Sequence, residues 1–309
     1  MGESTGIVFL FSIKLMNQTI SIVIIGHNTS SSLKLLLGSI NQLNASLNNL
    51  EIVYIDDGSN DNSFELFNQF NLQYKKKSKK LEKNMGRVFA TQEGIDLSSG
   101  DWLLFVRSNE MLTSNIILEY IYSINNFNAL AFSGIIKYQS NDQRFENYLN
   151  NKKRGIARYR PGDIIHYKFL LFNNSIIHSS VFGHIRLNQK LQNYGGEELD
   201  FSFRVNQKFP NQIKACPAAV VLRNNYPCFD NHLKRLYEFG KYNFLYLNNQ
   251  MKKDVVYCNG LLFPPLKPII YFVDYMFFCF SWLNINNINF YIIRVRLLCA
   301  ILKGYHKGS

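Results

Sequence analysis

Three short stretches carry side chains whose types could do chemistry together. Asp56-Asp57-Gly58-Ser59 closes an apolar run, Glu51-Ile52-Val53-Tyr54-Ile55. A carboxylate there accepts hydrogen bonds from a base N–H or a ribose hydroxyl, and the same residues also suit a turn that caps a helix. Arg107-Ser108-Asn109-Glu110 closes a second apolar run, Trp102-Leu103-Leu104-Phe105-Val106. It offers a guanidinium for anionic oxygens, a neutral amide and a carboxylate. Glu197 and Glu198 come after two glycines at the opening of a helical pattern, where a carboxylate favours the helix dipole.

Parallel strands and helices must position these stretches. Ile20-Ser21-Ile22-Val23-Ile24-Ile25 is a short β-branched run ended by Gly26, as expected of a buried parallel strand. Leu33, Leu36, Leu37 and Ile40 then recur at helical spacing, with Thr29 or Ser30 as the cap. The run 51–55 is a second strand, and "NDNSFELFNQF" a second helix capped by Asp61 or Asn60. "LQYKK" reads as a third strand, "GRVFATQEGIDLSSG" as a helix and "DWLLFV" as a fourth strand. This alternation predicts an α/β fold, with a doubly wound, mainly parallel sheet and helices on both faces. Ligands of such sheets lie beyond the carboxyl ends of the strands. Gly26-His27-Asn28, Asp56-Asp57-Gly58-Ser59 and Arg107-Ser108-Asn109-Glu110 therefore share one rim. No GxGxxG comes after Ile25 and no GxxxxGK[ST] occurs, which argues against a typical dinucleotide fold and a P-loop.

Beyond residue 112 the pattern is mixed: a helix near 113–124, the strand "ALAFSGIIKY", a basic irregular stretch over 139–172, a strand and short helix in "NNSIIHSSVFGHI", the helix from "YGGEELDFSFRVNQKF" and the strand "QIKACPAAVVL". The organisation expected is an N-terminal extension over 1–18, a nucleotide-binding half over 19–112, an acceptor-side half of the same domain over 113–225, and a C-terminal helical region over 226–309. Residues 1–15 lack the basic start and cleavage site of a secretory signal, and Met16 is the more natural start for the strand at 20–25.

A chain of 309 residues with 47% hydrophobic and 18% charged side chains buries a core and is not disordered. The net charge of +12 points to an anionic membrane surface, phosphorylated substrates or nucleic acid. The absence of zinc-finger, RNA-recognition and basic-zipper signatures argues against nucleic acid. The cations cluster at Lys75–Lys80, at Lys152-Lys153-Arg154 with Arg158 and Arg160, and at Arg294 and Arg296; each cluster also suits a solvated face. Five widely spaced cysteines have neither metal-ligand nor redox-pair spacing and suit a reducing cytoplasm. The C-terminal aromatic run, broken by Pro268 and Asp274, is too short and polar for a secure membrane span. It suits helices that lie at a membrane interface, or helices that pack on the core.

"ISIVIIGHN", "LEIVYIDDGSNDNS", "KNMGRVFATQEGI", "SGDWLLFVRSNEML" and "YGGEELDFSFRV" occur in the order and spacing of family 2 glycosyltransferases of the GT-A fold, and residues 19–210 resemble that family. The block from Phe172 to Phe201 is most similar to bacterial members that build surface polysaccharide. The resemblance implies a nucleotide-sugar donor and a glycan or lipid-linked acceptor. It implies that Ile24 and His27 border the base, that Asp57 binds it with Asp56 adjacent, and that Asn84 and Gly86 form a turn near the nucleotide. Thr91 and Gln92 stand where the family has Arg and Asn. Glu198, preceded by Glu197, matches the catalytic base, which takes the proton of the attacking hydroxyl in an inverting transfer.

The family's Asp-x-Asp falls at Arg107-Ser108-Asn109, and there it holds a divalent cation, magnesium or manganese, against the leaving diphosphate. Arg107 and Asn109 cannot reproduce that carboxylate site. Three readings stay open: Arg107 pairs with the diphosphate without a metal, Glu110 supplies the metal ligand one position on, or turnover is lost and the chain only binds. The leading reading is a transferase at the inner face of the cell membrane, with Arg154, Arg158 and Arg160 meeting acceptor phosphates. Its rivals are a non-catalytic subunit that binds a partner enzyme or glycan, and a nucleotidyltransferase, although this chain lacks the basic glycine-rich loop such enzymes need around a triphosphate.

Overall fold

A computed structural model describes residues 18–45, 49–280 and 286–309. Residues 1–17 of the expected N-terminal extension, with Met16, lie outside the described residues. Four strands, β1 (Ile20–Gly26), β2 (Leu50–Asp56), β3 (Lys75–Lys80) and β4 (Trp102–Arg107), alternate with α1 (Ser30–Ile40), α2 (Ser63–Gln69) and α3 (Arg87–Leu97). Next along the chain come β5 (Glu110–Leu112), α4 (Ile116–Asn126), β6 (Ala131–Ser140), α5 (Gln143–Leu149), β7 (Ser175–His178), α6 (Glu197–Lys208) and β8 (Ile213–Tyr226). All strands join one sheet in the order β3-β2-β1-β4-β7-β6-β8-β5. β3, β2, β1 and β4 run parallel, and β6 runs parallel to β8; β7 and β5 pair antiparallel. The result is the expected mainly parallel α/β sheet.

The continuous apolar runs of β1 and β2 reflect burial on both faces. Ile22, Ile24, Ile52, Tyr54 and Leu104 pack on one face against Leu33, Leu36, Leu37 and Ile40 of α1. Each such side chain contributes about 1.5–3 kcal/mol on burial, so a charge at Leu36 would detach the helix. Val23, Leu103 and Phe105 point to the other face, against Val88, Ile177 and Phe201. Parallel register sets Gly26 beside Asp56 and Ile25 beside Arg107, which brings three strand ends to one rim.

The lysine cluster at 75–80 is the edge strand β3, where charge discourages pairing with other chains. Lys77 meets Glu51 at 2.9 Å and Lys79 meets Glu93 at 2.6 Å. Lys75, Lys76, Lys79 and Lys80 are exposed, as in the solvated-face reading of that cluster, whereas Lys77 reaches the buried Glu51.

The C-terminal region is helical, as expected: α7 (Phe229–Lys241), α8 (Asn249–Val256), α9 (Lys267–Phe280) and α10 (Asn286–Gly308). Its core, with Phe239, Phe244, Leu247, Met251 and Leu302, packs on Leu199 and Phe203 of α6. α7 and α10 touch backbone to backbone: a Cβ on Gly240 would lie 2.0 Å from the Ile301 carbonyl oxygen, so only glycine fits there. Asp274, which interrupts the aromatic run, pairs with Arg296 at 3.3 Å and with Lys303. Among the described residues no helix is long and apolar enough to cross a membrane.

Candidate functional site

The rim loops are tied to one another by side chains. Asp56 is fully buried, and its Oδ1 accepts the Ser59 N–H at 2.6 Å, closing the turn after β2. Ser59 Oγ accepts the Asn28 N–H at 2.8 Å, and His27 Nδ1 lies 2.8 Å from the Asp57 carbonyl oxygen. Asp57 accepts the N–H groups of Met85 at 2.8 Å and Gly86 at 3.1 Å, which pins the turn that opens α3. Burial pushes the Asp57 carboxyl up, and these two N–H groups oppose that shift. Gly58 has φ +69°, and a Cβ on it would lie 2.3 Å from the Lys83 carbonyl carbon. The two loops can therefore approach only over a glycine.

A second cluster surrounds Arg107. Its Nη2 donates to Glu198 Oε1 at 2.9 Å, and the same oxygen accepts the Phe172 N–H at 3.2 Å. Both side chains keep limited access to solvent, 23% for Arg107 and 13% for Glu198. Glu197, buried beside them, pairs with Arg87. Burial raises the Glu197 carboxyl, Arg87 opposes this, and Glu198 adds to it. Glu110 is fully buried: its Oε2 accepts the Arg107 N–H at 2.8 Å, and Arg223 Nη1 stands 4.0 Å from Oε1. Burial alone would lower the Arg107 guanidinium, but Glu198 foremost, then Glu110 and Glu197, hold it above its ordinary range.

These residues do not fit a divalent cation. The Arg107 charge already stands among the three glutamates, so a dication would meet a guanidinium. Glu110 is committed beneath the strand end, and burial pushes its carboxyl up against the pull of Arg223. Asn109 brings no negative charge. Among the described residues no three His, Cys, Asp or Glu side chains come together to hold a metal ion.

The structure thus gathers His27, Asp57, Asn84 and Gly86 in one cluster and Arg107, Glu110, Glu197 and Glu198 in another. Ile24 is fully buried in the core and supports the rim rather than lining it, as Asp56 does. Asn109 lies half-buried in the turn between β4 and β5. Thr91 and Gln92 are buried in α3, and Gln92 Oε1 accepts the Leu187 N–H at 3.2 Å. Sequence reasoning missed Arg87 and Arg223. Arg87 joins the two clusters, since it is next to Gly86 and pairs with Glu197. A signal was present: a cation in the first turn of a helix sits against the helix dipole and needs a partner. Arg223 carried no such signal, because its partner is 113 positions earlier.

The model of glycosyl transferase family 2 matches residues 21–186. The glycosyltransferase GlyG of Streptococcus pneumoniae is 27% identical over 139 residues, which is 44% of this chain and 46% of that protein. An uncharacterized glycosyltransferase of Haemophilus influenzae is 35% identical over 81 residues, 25% of this chain and 32% of that one. The chain spans less than half the length of these curated relatives. Among solved structures, S. aureus TarS 1-349 in complex with UDP superposes with a TM-score of 0.53 at 15% identity, over 77% of this chain and 69% of that one. The mannosyltransferase PcManGT from Pyrobaculum calidifontis, in complex with GDP-Man and Mn2+, gives 0.55 at 10% identity, over 78% and 70%. At these identities the likeness is one of fold.

Proposed function

The chain belongs to glycosyl transferase family 2 and has the GT-A fold, and on that premise we propose that it moves a sugar from a nucleotide-sugar donor to a glycan acceptor with inversion. The observation that carries this reading is the contact of 2.9 Å between Arg107 and Glu198 at the rim. Glu198 takes the proton of the acceptor hydroxyl as its oxygen bonds to the anomeric carbon. The bond from that carbon to the diphosphate oxygen breaks, and the electron pair leaves on the diphosphate. Arg107 turns from Glu198 to that oxygen and meets the charge as it develops. Arg87 and Glu197 hold the rim shut between the two clusters. His27, Asp57 and the Asn84–Gly86 turn border the nucleotide. No metal takes part in this scheme.

Exposed aromatics support peripheral attachment to the inner face of the cell membrane. Along α9, Ile269, Phe272, Tyr275, Met276 and Phe280 are exposed at helical spacing. Such a face suits the headgroup level of a bilayer.

Calorimetric titration with UDP and with GDP, each in manganese and in EDTA, tests the donor site. Binding of one nucleotide unchanged by EDTA is the result expected. Binding that needs manganese would overturn the role of Arg107. Binding of neither would favour the second reading, a subunit that keeps the fold and binds a partner enzyme or glycan.

A further inference from the structure

A cavity of about 1070 Å³ lies between β6, the segment 150–174 and α10. Its wall on α10 is formed by Phe290, Arg294, Leu297, Leu298 and Ile301, spaced as one helical face. The C-terminal region therefore completes this cavity. Lys137, Lys152, Arg154, Arg158, Lys168 and Arg294 line it, and no carboxylate does. Among the described residues none of these cations has an acidic side chain within ion-pair distance.

Three of the cations are fixed in a ladder with aromatic rings. Arg158 stacks between Tyr159 at 4.9 Å and Phe169 at 5.0 Å. Lys168 lies 5.7 Å from Phe169 and 5.6 Å from Tyr257, and Arg294 lies 5.2 Å from Tyr257. Each arginine also donates one N–H to a tyrosine hydroxyl, Arg158 to Tyr159 and Arg294 to Tyr257. Ring faces offset the mutual repulsion of these charges, and the remaining N–H groups can bind an anion. Tyr257 holds its place at φ +64°, in the left-handed region that non-glycine residues rarely adopt. Ser133 and Asn173 are also on the wall; Ser133 Oγ and Asn173 Oδ1 are themselves buried, without a hydrogen-bond partner. Glu198 does not line the cavity but adjoins it: Leu171, Asn173 and Leu199 are on its wall, and the N–H of Phe172, between the first two, binds Glu198.

We propose that this cavity binds the acceptor as a glycan carrying a phosphate or diphosphate ester. The ester lies on the ladder of Arg158, Lys168 and Arg294, and the reactive hydroxyl points past Asn173 to Glu198. The assignment of the cavity to the acceptor rests on Glu198 being the base. Its chemistry, a dense set of guanidinium and ammonium groups without acidic partners, matches phosphate better than the single charge of a uronic acid.

The test is calorimetry on the full chain saturated with UDP, with farnesyl diphosphate, inorganic pyrophosphate and glucuronate as probes. Expected are binding of the diphosphate probes and a loss of at least tenfold in the double variant Arg158→Gln/Arg294→Gln. UDP titration of the variant reports that it is folded and that the donor site is intact. Tighter binding of farnesyl diphosphate than of pyrophosphate supports a lipid-linked source for the phosphate, and equal binding supports a phosphate without a lipid; both uphold the site. Unchanged affinity in the double variant, or glucuronate binding as tight as pyrophosphate, overturns it. If UDP binds and no diphosphate probe does, the cavity assignment fails alone. If UDP itself fails to bind, the donor reading fails instead.

Discussion

Glu198→Gln separates the base role proposed for this carboxylate from its contact with Arg107. Glutamine keeps the volume and an oxygen for the Phe172 N–H, but removes the charge that faces Arg107 at 2.9 Å. The pair is neither a surface pair nor a sealed one, with side chains 13% and 23% exposed. Its loss should therefore cost about 1–2 kcal/mol, between the ~0–1 of exposed pairs and the ~3–5 of buried ones. Removal of a general base costs roughly 10²–10⁴ in rate, or about 3–5 kcal/mol of barrier. Nucleoside diphosphate binding should move the other way. Arg107 no longer has to leave Glu198 to meet the diphosphate, and about 1 kcal/mol returned to the complex is roughly a fivefold tighter Kd. Release of nucleoside diphosphate from UDP- and GDP-sugars, with water as the default acceptor, reads the first effect. Calorimetry with UDP and GDP reads the second. Turnover within tenfold of the parent would remove Glu198 as base. Weaker nucleotide binding in a folded variant would show that Arg107 does not divide its time between carboxylate and diphosphate.

Gly58→Ala forces a Cβ onto the Lys83 backbone at a left-handed φ. It should lower stability by about 2 kcal/mol and weaken nucleotide binding, which thermal melting and calorimetry will record; an unchanged Tm would discount the loop contact. Glu51 accepts from Ser21 Oγ at 2.6 Å, from the Ser99 N–H at 2.5 Å and from Ser99 Oγ at 2.8 Å. Although burial pushes it up, these bonds and Lys77 bring its pKa from 4.5 down to about 2. A depressed carboxylate stabilises the fold above its unfolded pKa, so about 3 kcal/mol should be lost as pH falls from about 4.5 to 2. Denaturant midpoints for Glu51→Gln should be lower at pH 7 and converge with the parent at pH 2; parallel profiles would refute the assignment. Phe272→Glu with Tyr275→Glu should abolish sedimentation with vesicles of anionic phospholipid while UDP binding persists, and retained sedimentation would place the membrane contact elsewhere.

The strands β1, β2 and β4, the helices α1 to α3 and the shared rim were legible in the sequence because buried parallel strands read as unbroken apolar runs; β3 lies at Lys75–Lys80 rather than 72–76, and β5 and α5 fell in stretches expected to be irregular. Helices read with a period near 3.6, and glycines mark where loops must cross. The same local logic located Asp57, Arg107 and Glu198 at element ends. It could not decide their partners. Arg107 and Glu198 are 91 positions apart, and Arg223 and Glu110 are 113 apart. A long-range ion pair leaves no periodic trace along the chain. Nor could sequence separate the two carboxylates of Asp56-Asp57, since both suit a turn; only the register of β2 against β1 buries Asp56 and leaves Asp57 to pin the Asn84–Gly86 turn. The basic clusters show the same division. Their charge was plain in the sequence, but Lys77 and Lys79 find acids across an edge strand, whereas Arg158, Lys168 and Arg294 are stacked on rings around a cavity. Sequence determined which side chains were present and in what order most elements follow. Tertiary structure decided which charges were neutralised and which stand without an acid, because that depends on distances the chain sets only when it closes on itself.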